Sequence, residues 1–258
     1  MTAVLSERDG LVLVEFDPAA LGIFARPTSS ERYEPVTLAD AMWDHSVLAA
    51  IDGPMFGNCD PGSSYATSNC ADPRFAQLDR SVNVSDPPNR GEENSGVSVS
   101  IVDGLAIWSS GSAFDRRATV GVQMYPALVM DGEMQATRAT GSNADRVKRA
   151  ALAGLANGRL AFCYATDTMA GFARRIRDAG AVWAGYTDGG GSTALGYRDA
   201  ETGAVRRFVS SEDRPVAMFL VARRQPEIAK TAGIGIAVGV GVLGLAALGV
   251  WAYTRFRD

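Results

Sequence analysis

Three dipeptides, Asp103-Gly104, Asp131-Gly132 and Asn157-Gly158, each interrupt a run of apolar residues. Asp-Gly and Asn-Gly suit the tight two-residue hairpin, whose central positions both need positive φ. "VSVSIVDGLAIW" (97–108) therefore predicts two strands around Asp103-Gly104. "TVGVQMYPALVMDGEMQ" (119–135) predicts a second pair around Asp131-Gly132. "RAALAGLANGRLAFCYA" (149–165) supports two readings. Its alanine-rich first half suits a helix, whereas Asn157-Gly158 suits a hairpin. Shorter apolar runs predict strands at "LVLVEF" (11–16), "AVWAGY" (181–186), "AVRRFV" (204–209) and "VAMFLVA" (216–222).

Two segments have helical spacing. In "TLADAMWDHSV" (37–47), Thr37 and Asp40 stand as in a capping box. In "DTMAGFARRIRDAG" (167–180), Met169, Phe172, Ala173 and Ile176 line one face, with Asp167 as the expected cap and Gly180 as the stop. Residues 57–96 are rich in Gly, Pro, Asn, Asp and Ser and read as one long loop, a lid or an insertion. The pattern predicts a sheet-rich α+β domain over 1–222.

From Thr231 to Thr254 the chain runs 24 residues without a charge. As a helix, that length can cross about 30 Å of hydrocarbon. A buried soluble helix is the alternative, but it would bear the cost of many glycines. Trp251 and Tyr253 sit near one end, where such rings favour a membrane interface. These features predict a single C-terminal transmembrane helix at 231–254. A juxtamembrane linker (223–230) precedes it and a short basic tail (255–258) follows. A lipid membrane is then a partner. Gly235 and Gly239 would let two such helices approach as a homo-oligomer. No leader is visible in "MTAVLSERDG", so the expectation is a single-pass protein anchored by its C-terminal helix. Basic residues flank the span on both sides and leave its orientation open.

The net charge of −4 argues against general nucleic-acid binding. Cys59 and Cys70 bracket a turn-rich loop and are disulfide candidates if the domain faces an oxidising space; otherwise they are free thiols. No zinc spacing is present, and His45 is the one histidine.

Chemistry concentrates in "YTDGGGSTALGY" (186–197). Asp188 ends an apolar run. Gly189, Gly190 and Gly191 remove side chains and allow close backbone approach by a ligand, and Ser192 adds a hydroxyl. Amides in such a turn can cradle an anion. Neither a P-loop nor a dinucleotide fingerprint is present, and a plain flexible hairpin remains the alternative. Asp52, Asp131 and Arg149 also stand beside turns or strand starts. Paired carboxylates can serve as acid and base, and arginine can clamp a phosphate.

The order of these motifs resembles the phosphodiester glycosidase family. The segments that carry the resemblance are "VLAAIDGPMF" (47–56), "YPALVMDGE" (125–133), the Arg-led 149–165, "DTMAGFARRIRDAGAVWAGYTDGGGSTAL" (167–195) and "RPVAMFLV" (214–221). It favours strand–turn–strand for 149–165. It implies hydrolysis of a sugar-1-phosphodiester, with a phosphorylated glycan as partner. Asp188 matches the family's acidic residue and Arg149 its arginine, which would hold the phosphate. Asp52 or Asp131 would be the second acid/base group. Gly189, Gly190, Gly191, Ser192 and the aromatic Phe56 would face the substrate. Two positions depart from the pattern. Asp52 stands where the family usually has Asn, and Thr187 where it usually has an apolar residue. No cofactor is required, although the aspartates would admit a divalent cation. The alternatives are a non-catalytic glycan- or anion-binding module and a structural protein of an envelope or virion.

Overall fold

A computed structural model of the chain describes residues 2–27, 33–54, 96–111, 114–115, 117–135, 143–209 and 214–224, together with the backbone of four short strands within 56–85. The chain divides into two units, Met1–Arg224 and Gln225–Asp258, and the second lies outside the described residues.

Strands β1 (Val4–Arg8), β2 (Leu11–Phe16), β3 (Leu21–Pro27) and β4 (Tyr33–Glu34) precede helix α1 (Leu38–Trp43). Next come β5 (Val47–Asp52), β6 (Phe56–Asn58), β7 (Ala71–Pro73), β8 (Gln77–Asp79) and β9 (Val84–Ser85). The middle of the chain forms β10 (Val97–Val102), β11 (Leu105–Ser110), β12 (Val120–Met124), β13 (Ala127–Met130) and β14 (Glu133–Met134). The long pair β15 (Val147–Leu155) and β16 (Leu160–Asp167) leads into α2 (Met169–Asp178). β17 (Ala181–Gly189), β18 (Ala194–Arg198), β19 (Val205–Val209) and β20 (Met218–Arg223) complete the unit.

These strands make three sheets. A seven-stranded sheet runs β1-β2-β16-β15-β17-β13-β14, and an eight-stranded one runs β19-β18-β5-β20-β3-β4-β7-β6. A five-stranded sheet runs β11-β10-β12-β8-β9. Strand alternation divides the interior. Val14, Phe162, Tyr164 and Leu152 from the seven-stranded sheet join Ile51 and Leu220 from the eight-stranded sheet, and Val99 and Val122 from the five-stranded one, in a central core. The opposite face of β15 and β16 carries Ala151, Ala153, Ala161 and Cys163, small enough to let Phe172 and Ile176 of α2 pack closely. Leu38 and Met42 of α1 cover Ala50, Phe219 and Val221 on the outer face of the eight-stranded sheet.

The local signals in the sequence translate directly. Asp103 and Asp131 have φ of 51°, and Gly104 and Gly132 have φ of 79° and 80°, as a tight hairpin demands. Asp9-Gly10 makes the same turn between β1 and β2, which the sequence reading passed over. Residues 149–165 form the strand–turn–strand, not the helix. Residues 119–135 behave differently from the expectation. The pair around Asp131-Gly132 is β13–β14, while β12 joins the five-stranded sheet. The α1 capping box is present as read. For α2 the cap is Thr168, whose side chain accepts from the Gly171 N–H, rather than Asp167. The segment 57–96, read as one loop, contains β7, β8 and β9.

The membrane expectation requires correction. Among the described residues, no helix is long and apolar enough to cross a membrane. The longest α-helix among the described residues, α2, has 10 residues, against the roughly 20 that a span requires. The segment 231–254 itself lies outside the described residues. The described residues form a sheet-rich α+β domain that contains no such helix. The membrane-anchored form of the function, the lipid membrane as partner, the helix-mediated oligomer and the single-pass localisation are withdrawn with it.

Candidate active site

The 188–193 segment is the bridge between two sheets. β17 belongs to the seven-stranded sheet and ends at Gly189; β18 begins at Ala194 in the eight-stranded sheet, next to β5. Gly190–Ser192 form a single 3-10 turn between them, with Gly190 at φ +72°. Asp52 ends β5 at this seam, and its Oδ1 accepts the Ala194 N–H at 3.0 Å.

A register shift aims Asp188. Arg149 faces Gly189 and Ala151 faces Tyr186, so Ala150 opposes both Thr187 and Asp188. Such a bulge breaks strict alternation and can re-aim a side chain. Ala150 belongs to the central core.

The two carboxyls differ. Asp52 is fully buried, and its Oδ2 has no hydrogen-bond partner. Burial, then the adjacent Asp188 charge, push its pKa well above the usual carboxylate range, against the Ala194 N–H. Asp188 keeps partial surface exposure. Its carboxyl is nevertheless ringed by protein atoms, and burial raises its pKa to about 6. The Gly189 N–H (2.7 Å), the Ser192 side chain and the Arg214 charge all work in the opposite direction and favour the ionised form.

Arg149 is 2% exposed and its fork is engaged inside the protein. Nε donates to the Asp167 carbonyl (2.8 Å) and Nη2 to the Asp145 carbonyl (3.0 Å). Nη1 reaches the Tyr186 hydroxyl at 3.4 Å. That phenol lies across Gly189, where an added Cβ would stand 1.8 Å from the hydroxyl oxygen. Arg149 thus supports the glycine loop from beneath. Lys148 and Thr193 add a further tie, with Thr193 Oγ1 donating to the Lys148 carbonyl at 3.3 Å.

The structure brings Asp52, Asp188, Arg149, Gly189, Gly190, Gly191 and Ser192 to this seam. It separates Asp131, an exposed turn residue. The adjoining Gly132 N–H bonds to the Val182 carbonyl, six residues along β17 from Asp188, or about 20 Å at strand rise. Phe56 opens β6, but its side chain is outside the described residues, as are Cys59 and Cys70. No group of three or more metal-ligating side chains occurs among the described residues. Arg214 was missed by the sequence reading. Its Nη1 lies 3.2 Å from where a Gly191 Cβ would stand. Its one signal was its place at the head of "RPVAMFLV". A cavity of about 300 Å³, lined by Leu38, Met42, Trp43, His45 and Arg207, lies on the α1 side of the eight-stranded sheet and does not include the two aspartates.

The catalytic domain of zebrafish N-acetylglucosamine-1-phosphodiester alpha-N-acetylglucosaminidase, auto-inhibited by its pro-peptide, superposes with a TM-score of 0.59 at 14% identity, covering 86% of this chain and 82% of that one. A hypothetical protein from Synechocystis gives a TM-score of 0.52 at 13% identity, covering 86% of this chain and 61% of that one. Identities this low establish a shared fold. No curated protein sequence matches the chain. The pattern of the phosphodiester glycosidase family matches residues 62–223, a stretch that includes Arg149, Asp188 and Arg214 and leaves Asp52 outside. With more than half of its length so matched, the chain belongs to the phosphodiester glycosidase family.

Proposed function

We propose that this chain is a hydrolase that cleaves the bond between the anomeric carbon of a sugar and an oxygen of a phosphodiester. The observation that carries the reading is Asp188, a partly exposed carboxyl with a pKa of about 6, set on a glycine loop. A group that titrates near the working pH suits proton transfer. Asp188 is the general base. Ionised, and held so by the Gly189 N–H and Ser192, it takes a proton from the attacking water. The water oxygen bonds to the anomeric carbon. The carbon–oxygen bond to phosphate breaks, and its electron pair leaves with the phosphate oxygen. A phosphate leaving group needs little help from an acid, which fits a site where, among the described residues, Asp188 is the partly exposed carboxyl and Asp52 the buried one. Gly191 and Arg214 stand on the loop side, where the backbone amides and the guanidinium would face the phosphate. Arg149 acts through Tyr186 as a positioning residue.

The test is an assay of the full chain against a panel of sugar-1-phosphodiesters, with Asp188→Asn and Arg214→Ala beside it. Release of free sugar is expected, lost in Asp188→Asn and reduced by a raised KM in Arg214→Ala. Binding without turnover would instead favour a non-catalytic glycan-binding module. The complete enclosure of Asp52 and the internal engagement of Arg149 are the observations on that side.

A further inference from the structure

Asp52 is enclosed with half of its hydrogen-bonding capacity unmet. Oδ1 has the Ala194 N–H, whereas Oδ2 is buried without a partner. An ionised carboxylate needs several donors to replace water, and burying one with a bare oxygen costs far more than burying the neutral acid. Among the described residues, the groups that favour its ionised form are backbone N–H groups and not cations. Asp188 approaches from β17, and Tyr164 of β16 and Tyr186 of β17 lie within electrostatic reach. Phe219 of β20 and Ala194 of β18 are its strand neighbours. Arg149 of β15 is directed at carbonyls and Tyr186, and Arg214 acts on Asp188.

We propose that Asp52 is a neutral carboxylic acid in the folded protein and serves as an amide-like positioning residue: Oδ1 accepts the N–H that starts β18, and the proton on Oδ2 keeps a second negative charge away from Asp188. Asp52 then does the work of a side-chain amide, with one oxygen accepting and the other group carrying hydrogen. Burial and the Asp188 charge both drive the carboxyl in this direction. The Asp188 charge is itself one of the causes that raise Asp52, so the two carboxyls titrate as a pair. The catalytic consequence rests on the assignment of Asp188 as the general base; the protonation state does not.

The experiment uses the full chain as wild type, Asp52→Asn, Asp52→Leu and Asp188→Asn. The unfolding constant is measured against pH, and infrared spectra are recorded at pH 7 for the carbonyl stretch of a protonated carboxylic acid. Unfolded Asp52 releases its proton near pH 4 while the folded residue keeps it, so wild type loses stability with rising pH and Asp52→Asn does not share that loss. The ratio of the two unfolding constants should therefore grow about tenfold per pH unit above pH 4, until Asp52 itself ionises. Asp52→Leu, neutral but unable to accept from Ala194, should be less stable than Asp52→Asn at every pH. The acid band should be present in wild type and in Asp188→Asn, and absent in Asp52→Asn. Parallel stability curves for wild type and Asp52→Asn, or a wild-type spectrum without the band at pH 7, would overturn the proposal. If Asp52→Asn does not fold, the wild-type and Asp188→Asn spectra decide. Slope and band without turnover would retain this proposal and sink the hydrolase reading. Turnover without slope or band would do the reverse.

Discussion

Gly189 owes its identity to a neighbour and not to its dihedral angles. Its φ is −158°, ordinary extended backbone, but a Cβ there would collide with the Tyr186 hydroxyl. Gly189→Ala should therefore displace the phenol, disturb the Arg149 contact and cost about 1–3 kcal/mol in urea unfolding. Adding Tyr186→Phe should recover part of that loss, since the two changes share one contact. Asp188 allows a sharper test. As a general base with a pKa of about 6, it predicts activity that rises with pH and levels off above about 6. Asp188→Asn should lower kcat by roughly 10²-fold or more and abolish that limb of the profile. Asp188 and the glycine run stand out in the sequence as an acidic residue before three glycines, a pattern that also suits a plain hairpin; their place at the seam between two sheets is visible only in the fold. The support role of Arg149 was not legible there, because its partners are backbone carbonyls and a phenol, and such contacts leave no spacing in the sequence.

At the level of elements, α2 depends on its first turn. Thr168→Ala removes the acceptor for the Gly171 N–H and should cost about 1 kcal/mol, measurable as a shift in thermal midpoint. A second prediction comes from the sequence, where Cys59 and Cys70 bracket a turn-rich stretch; both lie outside the described residues. Protein prepared under oxidising conditions should yield a Cys59–Cys70 linked peptide in non-reducing mass mapping; free thiols at both positions would refute this. Hairpins were readable because each is a local matter of two turn residues between two apolar runs. Sheet order was not. β5 lies between β18 and β20, far away in sequence, and no local signal selects those partners. The bulge at Thr187–Asp188 was likewise hidden, because it exists only relative to Ala150 across the ladder. The span at 231–254 was read from length and absence of charge, conditions that permit a membrane helix without requiring one.

Over the whole molecule, carboxylates bias stability in two directions. Asp188 has a folded pKa raised to about 6, and Asp52 is raised well above the usual carboxylate range, so their contribution is complete below about pH 4 and is lost as pH rises. Asp167 is lowered: burial works against ionisation, but the Arg175 side chain and the Thr168 N–H outweigh it. Its contribution is lost as pH falls below about 4. Thermal stability should therefore be greatest in a narrow acidic window near pH 4–5, while the general-base role favours pH above 6. Scanning fluorimetry across pH 3–9 would check the first half of that trade. The seam itself has an implication for synthesis. Asp52 leaves the ribosome early, whereas its hydrogen-bond donor Ala194 and its neighbour β20 are among the last parts of the unit to emerge. A nascent or truncated chain can lay down most of the seven-stranded sheet and still present Asp188 without the floor behind it. The seam around β5 is thus complete only once β20, the closing strand of the unit, has been made.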